Sequence, residues 1–285
     1  MSDSPIYPTS LSLTRKIGDF PIAGMPLHVH HELLRKGALT NLSIHPQAWL
    51  DAKDGELFSN PDVRTLVDAG GTPIAWLDAS PDPSKSAVAS HSFVIVHPWD
   101  LLKANEQVIA ALPESLWLGD VHPMAVIEGI VLIGEGTRIL PGVFIEGNAI
   151  IGENCKIGPN CYIRGNTSIG DGCHIGQSVE IKNCLILSKT NVGHLSYIGD
   201  SVLGEKVNLG AGTTTSNIRH DGKNHHSMIG GTLVDTGRRK FGTIIGDGVH
   251  TGINTSIYPG RKLWPGTTTR PGEIVQHDLE NQSHD

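Results

Sequence analysis

Isoleucine occupies every sixth position ten times in succession: Ile127, Ile133, Ile139, Ile145, Ile151, Ile157, Ile163, Ile169, Ile175 and Ile181. Val121 extends this column upstream and Leu187 extends it downstream. Two residues before each isoleucine runs a second column of small or β-branched residues: Ala125, Val131, Thr137, Val143, Ala149, Cys155, Cys161, Thr167, Cys173 and Val179. A helix repeats every 3.6 residues and a strand every 2, so neither produces a period of six. A chain that turns a corner every six residues does. Three such flats close one triangular coil, and stacked coils bury the isoleucines along a shared axis. The pattern therefore predicts a parallel β-helix of hexapeptide repeats.

The repeat has two irregularities. Its phase slips by one residue near His194, where Ile198, Leu203 and Leu209 are spaced five and then six. It stops after Thr215 and resumes in step at Ile245, Thr251, Ile257, Leu263 and Thr269. The intervening glycine-, histidine- and arginine-rich stretch, residues 217–242, is expected to loop out, and such excursions commonly build a solenoid's binding face. Gly134, Gly152, Gly158, Gly170 and Gly176 each follow a column isoleucine, and Asn148, Asn160, Asn166 and Asp171 fill other corners. All are expected to supply left-handed backbone.

Residues 1–97 do not obey the six-residue rule and read as a small α/β region. Short apolar runs near Leu11–Leu13, Ala48–Leu50, Ile74–Leu77 and Phe93–Val96 predict strands. Pro61–Ala69 predicts a helix with Val63 and Leu66 inward, and the proline-bearing Ser80–Ala87 predicts a loop. A helix of about three turns is expected from Pro98, with Leu101, Leu102, Asn105, Val108 and Ile109 on one face. It forms a linker over 98–118. The β-helix then spans 119–275 and a tail covers 276–285, so the fold class expected is mainly β.

Glycine is abundant at 34 residues and aromatics are scarce at 5%, as many corners and a narrow interior require. A length of 285 residues allows one or two domains. The net charge of -7 gives no support to a nucleic-acid partner. No apolar run approaches the ~18 residues of a membrane span, and the N-terminus lacks a secretion signal's basic stretch and apolar core. Cys155, Cys161 and Cys173 lie in the inward column, Cys184 lies beyond it, and no two form a C-x-x-C pair. Buried free thiols in a reducing cytoplasm are the expectation.

The motifs that carry chemistry are GHLSYIGD, VNLGAGTTTSN and RRKFGTIIGDGVHTGINTSIYPG. Together they resemble the acetyltransferase half of the bifunctional N-acetylglucosamine-1-phosphate uridyltransferase/glucosamine-1-phosphate acetyltransferase family. TSNIR and TGIN are more similar to its archaeal-type members. The resemblance covers residues 119–275. It implies left-handed coiling, although parallel crossovers are normally right-handed. It also implies a homotrimer with sites between neighbouring prisms, in the cytoplasm, with acetyl-CoA as co-substrate and no membrane or nucleic-acid partner. His194 matches the family's general base, and Tyr197 and Asn208 match residues that bind the amino sugar. Arg164 and Lys182 match the cations that hold its phosphate, and Asn217 matches a residue lining the acceptor and donor site. Gly212, Thr251, Arg238 and Arg239 are the expected coenzyme A contacts.

The chemistry suits these residue types. An amine sheds a proton as it attacks a thioester, an imidazole titrates in the right range, and a sugar phosphate needs fixed cations. Independently of the resemblance, Arg164 and Lys182 are one 18-residue coil apart, so they should stack on one edge about 4.8 Å apart. The chain departs from the bacterial-type pattern at Ile218, His225 and around Ile253, where tyrosine, lysine and serine are expected. No Gly-rich nucleotide loop is found in residues 1–97. That region is expected to be a shortened remnant of a nucleotidyltransferase domain, without uridyl transfer or its magnesium.

The activity implied is acetyl transfer to the amine of a hexosamine 1-phosphate, glucosamine 1-phosphate foremost, in nucleotide-sugar biosynthesis. The alternatives are another hexapeptide-repeat acyltransferase, a non-catalytic or regulatory relative, and a zinc carbonic anhydrase. The last needs three histidines, and only His174 lies about one coil from His194. His28, His30, His31 and Glu32 are read as the polar side of a helix beginning after Pro26, and no metal is expected.

Overall fold

A computed structural model of the chain describes residues 15–36 and 41–280. The strand predicted at Leu11–Leu13 lies outside these residues. The fold is mainly β: a parallel β-helix preceded by a small α/β region.

Three parallel sheets wall the solenoid. The first face runs through eight strands from Leu116–Trp117 to Lys262–Leu263, the second through six from Asp120–Val121 to Asn208–Leu209, and the third through eight from Val126–Glu128 to Ile274–Val275. Each column isoleucine sits directly above its equivalent one coil below, as in Ile145–Ile163–Ile181 on the third face. These side chains are buried, and with Val131, Val143, Ala149, Cys155, Cys161 and Cys173 they form one continuous core. The four cysteines are free and buried. Burial pushes the Cys161 and Cys184 thiols up to about 12, so they stay protonated and unreactive.

The phase slip begins earlier than the spacing suggested. Ile169 stacks on Ile186, which stacks on Leu203, so two consecutive coils are one residue short. Ile186, not Leu187, continues the column. Leu187 turns outward into a second cluster beneath the preceding region. Both lost residues come from the corner between the third and first faces. There Asn183 and Asp200 turn the chain with left-handed φ of 54° and 50°.

Most of the glycines that follow column isoleucines serve a different purpose from the one expected. Among the five, only Gly158 has positive φ. Gly134, Gly152, Gly170 and Gly176 are needed because the next coil passes too close: a Cβ on Gly134 would lie 2.6 Å from the carbonyl carbon of Gly152. Of the polar corner residues named, Asn160 alone is left-handed, at 50°.

The excursion is an antiparallel hairpin, His226–Ile229 with Thr232–Asp235, and the solenoid resumes when Ile244–Ile245 pairs with Val202–Leu203. Ser227 Oγ donates to the Gly260 carbonyl, and the Lys262 ammonium donates to the Met228 carbonyl, which pins the hairpin to the coils.

Among the described residues the preceding region has three α-helices: α1 (Leu27–Lys36), α2 (Ala52–Gly55) and α3 (Pro98–Ala110). A four-stranded mixed sheet runs in the order Ser43–Ile44, Pro73–Trp76, Thr65–Val67, Ser86–Val88, and Ala48–Trp49 pairs with Phe93–Val94. The helix expected over Pro61–Ala69 is therefore a strand. Asp68 accepts hydrogen bonds from the amides of Gly70 and Thr72, which builds a tight turn and sends Pro73–Trp76 back antiparallel. The β-branched Thr65 and Val67 suit the extended form that this turn imposes. The stretch expected as loop at Ser80–Ala87 carries a 3-10 turn, Pro83–Lys85, and then enters the Ser86–Val88 strand.

Helix α3 starts at Pro98, where the Asp100 carboxylate accepts the amides of Val96 and His97. Its apolar stripe buries Leu101, Leu102 and Ile109, with Asn105 among them. That stripe packs on outward-facing Leu185, Leu187, Val202 and Ile244 of the first face, together with Phe20, Trp49 and Trp99. Arg15 ties the same region to the coils through Glu205 at 3.0 Å and Asp247 at 2.7 Å.

The histidines of α1 are not simply its polar side. His31 is buried and its ring Nε2 lies 2.7 Å from the Ala48 carbonyl oxygen, while His30 reaches the Ile22 carbonyl. Burial holds both rings below the usual histidine range, so they donate as neutral imidazoles. Among the described residues no helix is long and apolar enough to cross a membrane.

Candidate functional site

The outer surface of the third face carries two ladders. One reads Phe144, Tyr162, Glu180, Tyr197, Thr214, and the other reads Glu146, Arg164, Lys182, Gly199. Arg164 and Lys182 are register partners, stacked on one edge as their 18-residue spacing requires. Neither cation is bare. The Arg164 guanidinium meets Glu180 at 2.6 Å, and the Lys182 ammonium meets Asp200 at 2.7 Å. This wall therefore presents paired charges of both signs.

Asp200 is the hub. Its carboxylate is 4% exposed and accepts the Lys182 ammonium and the Asn217 amide, the latter at 2.6 Å. It also accepts the Asn183 amide at 3.1 Å. Asn217 donates in addition to the Tyr197 hydroxyl at 2.9 Å. Burial, helped by Asp200 and Glu180, holds the Tyr197 phenol above its ordinary range, so it stays protonated and can offer its own hydrogen. Gly199 makes the cluster possible, because a Cβ there would lie 2.5 Å from the Tyr197 hydroxyl and 2.7 Å from the Asn217 amide nitrogen.

His194 ends a strand of the second face, Asn191–His194, three residues before Tyr197 on the same coil. Its ring is exposed, and among the described residues nothing hydrogen-bonds to the imidazole. Its carbonyl oxygen, by contrast, accepts the Ser196 hydroxyl and the Gly212 amide, which fixes the backbone of the corner. The next residue, Leu195, holds φ of 51° and is 66% exposed. His194 lies five positions before Gly199, the partner of Lys182, a backbone span of at most about 18 Å.

The remaining expected residues divide. Asn208 is exposed on the second face, stacked on Asn191, one coil above and apart from the Tyr197 cluster. Gly212 has φ of 76°, and its Cβ position is taken by the Asn254 side chain, so it serves the close stacking of two corners. Thr251 points inward: its hydroxyl accepts the Gly210 amide and pairs with Thr213 at 2.8 Å inside the prism. Its side chain is therefore not available to coenzyme A. Arg238 is likewise engaged, with its guanidinium bound to Glu106 of α3 at 2.5 Å. Arg239 is exposed.

Of the departures from the bacterial-type pattern, His225 is buried beneath the hairpin and its Nε2 approaches the Asn217 carbonyl at 3.1 Å. Burial holds its ring below the usual range, so it donates while neutral. Ile218 and Ile253 are both exposed. An open depression of about 570 Å³ lies beside Asn217, between Ile218 and Tyr258, and its Arg219 is held by Asp221. Among the described residues no three His, Cys, Asp or Glu groups are placed to hold a metal. His174 pairs with Asn191 rather than with His194.

Five residues in or next to the cluster escape the sequence reading: Gly199, Asp200, Glu180, Asn183 and Glu106. The first two stand in the YIGD motif. The five-residue steps from Ile181 to Ile186 and from Ile198 to Leu203 mark their corner, and this is the available signal.

Fold and site together define a hexapeptide-repeat parallel β-helix with a polar cluster on one outer wall. Residues 145–261 match the model of the GMPPB C-terminal domain. A bifunctional sugar-1-phosphate nucleotidylyltransferase/acetyltransferase of Sulfurisphaera tokodaii is 41% identical over 182 residues, 64% of this chain and 45% of that protein. A bifunctional protein GlmU of Methanococcus maripaludis is 48% identical over 189 residues, 66% of this chain and 46% of that protein. A crystal structure of a Francisella novicida UDP-N-acetylglucosamine acyltransferase overlaps 59% of this chain and 62% of its own at 18% identity, with a TM-score of 0.30, too loose to align sites. The C-terminal part of this chain is thus homologous to GlmU-type bifunctional nucleotidyltransferase/acetyltransferases. The chain spans about half the length of the curated relatives it matches.

Proposed function

We propose that the protein is an acyltransferase that moves acetyl from acetyl-CoA to the amine of a hexosamine 1-phosphate, glucosamine 1-phosphate foremost, in supply of nucleotide sugars. The observation that carries this reading is one coil of the solenoid. It presents an exposed His194, whose ring has no hydrogen bond among the described residues, three positions before Tyr197, with Lys182 and Arg164 stacked on the adjoining wall. The names of the relatives, which include acetyltransferase, support it.

The chemistry follows from that placement. The acceptor amine attacks the thioester carbonyl, the imidazole of His194 takes its proton, and the carbon–sulfur bond breaks to release the coenzyme A thiol, which is protonated in turn. Lys182 and Arg164 hold the phosphate, and the Tyr197 and Asn217 polar groups orient the ring hydroxyls. Arg239 remains exposed for the phosphates of coenzyme A, in place of Arg238 and Thr251. Leu195, next to His194, and Ile253, two coils further along the same corner, are both exposed. Their apolar surface supports a homotrimer in which a neighbouring prism closes over the imidazole.

The test is direct. Purified protein given acetyl-CoA and glucosamine 1-phosphate should release free thiol, with galactosamine 1-phosphate assayed in parallel. His194→Ala should lower kcat by about 10²- to 10⁴-fold, the usual worth of a general base. Its melting temperature should stay close to the parent value, because the ring makes no hydrogen bond with the described residues of its own chain. Undiminished turnover in that variant would reject the mechanism.

A further inference from the structure

The region before the solenoid has no part in acyl transfer as described so far, yet one of its side chains reaches the acceptor cluster. Helix α3 lies along the corner between the third and first faces. Asn105, fully buried, accepts the Ser168 hydroxyl at 2.7 Å, and Asn148 of the coils donates to the Ile109 carbonyl at the helix end. One residue after Asn105, Glu106 accepts the Asn183 amide at 2.6 Å and both terminal nitrogens of Arg238 at 3.2 and 2.5 Å.

From Glu106 the contacts run without a gap. Asn183 donates onward to one oxygen of Asp200 at 3.1 Å. The other oxygen of Asp200 accepts Lys182 and Asn217, and Asn217 donates to Tyr197. Arg238 closes the loop from the other side, because the excursion that contains it is the continuation of the chain from Asn217. Its neighbourhood returns to that residue when the Phe241 amide donates to the Asn217 carbonyl.

We propose that Glu106 is a positioning residue for the acceptor half of the site. It acts through Asn183 and Asp200 on the Lys182 ammonium and the Asn217 amide, and through Arg238 on the excursion that carries Asn217. The physical reason lies in Asp200. Two cluster donors pull on one of its oxygens, and Asn183 is the side chain that holds the other. Asn183 in turn is pinned only if Glu106 accepts its amide. A carboxylate is required at 106, because it receives an amide and a guanidinium together. The amide of glutamine would turn a donor toward one of them. Helix α3 thereby makes the preceding region part of the acceptor site rather than an appendage to it.

The kinetic side of this inference rests on the acyl-transfer reading, so the experiment has a second arm that does not. Glu106→Gln and Glu106→Ala are compared with the parent. In the first arm, KM for the hexosamine phosphate should rise about tenfold, equivalent to one lost positioned contact, while KM for acetyl-CoA stays within about twofold. In the second arm, lysines are acetylated with sulfo-N-hydroxysuccinimide acetate and quantified by mass spectrometry. Lys182, freed from a fixed Asp200, should label several-fold faster in the variants, while the exposed Lys156 and Lys206 label at parent rates. Parent protein inactive on every hexosamine phosphate would defeat the acyl-transfer reading alone, and the labelling would still decide the role of Glu106. Unchanged labelling of Lys182 in Glu106→Gln, or a uniform rise at all three lysines, would overturn the proposal whatever the kinetics show.

Discussion

The solenoid and the region before it are held together in different ways. In the solenoid every core residue has an equivalent one coil away, and a single cluster runs from Val131 to Val275. In the preceding region the apolar residues split into two clusters. One lies within the mixed sheet around Leu66, Ile74 and Phe58, and the other lies under α1 and α3 and is shared with the coils. The first arrangement spreads stability over repeated, nearly equal contacts. The second concentrates it in single interactions without repeats. Substitutions should therefore be felt through packing in the coils and through specific polar contacts in the preceding region.

The largest expected effect comes from a cavity in the coils. Ile163 is fully buried between Ile145 and Ile181, and Ile163→Ala should cost about 2–5 kcal/mol, read as a lowered denaturation midpoint. A loss well below about 1 kcal/mol would mean that neighbouring coils collapse into the space, and the contrast between the regions would weaken.

A smaller effect is expected at Asp54 of α2. Burial works against its charge, but the Ser92 hydroxyl and the amides of Ser90, His91 and Ser92 outweigh that and hold it below the usual carboxylate range. A folded-state value below the unfolded one stabilises the fold above about pH 4, and the stabilisation is lost as pH falls through the lower folded value. Asp54→Asn should cost about 1–3 kcal/mol at neutral pH and flatten this acid dependence. A variant as acid-sensitive as the parent would show that other carboxylates control it. The smallest effect belongs to the exposed Arg64–Asp78 pair at 2.7 Å. Arg64→Ala should leave the melting temperature within measurement error, since solvent screens such pairs.

Much of the solenoid is legible because its period is local. Six-residue spacing in the chain becomes stacking in space with no knowledge of distant residues, so Ile127 to Ile181 and the inward cysteines can be placed from the sequence. The strand at Thr65–Val67 is not legible in the same way, because Val63 and Leu66 fit a helical spacing as well as an extended one. The turn that decides between them lies outside the run, in Asp68–Thr72. Leu187 is misplaced by the six-residue count for a related reason. Cys184, Leu185, Ile186 and Leu187 form an unbroken apolar run, and such a run does not say which member points into the prism.

The candidate site shows the same division. The stacking of Arg164 on Lys182 follows from their spacing. The carboxylates that neutralise both cations do not follow, because Glu180 and Asp200 meet them across coils through side-chain conformation. Thr251 and Arg238 are expected from the sequence to face a ligand, but one lies inside the prism and the other grips α3.

By itself, then, the sequence determined the coil, its core and the order of residues along each wall, since all three depend on a fixed period of the backbone. Only the tertiary structure decided which charges are paired, and that the carboxylate of Glu106, on a helix 77 residues before Asn183, accepts that residue's amide. Those depend on side chains from distant segments meeting at one place, which no local pattern encodes.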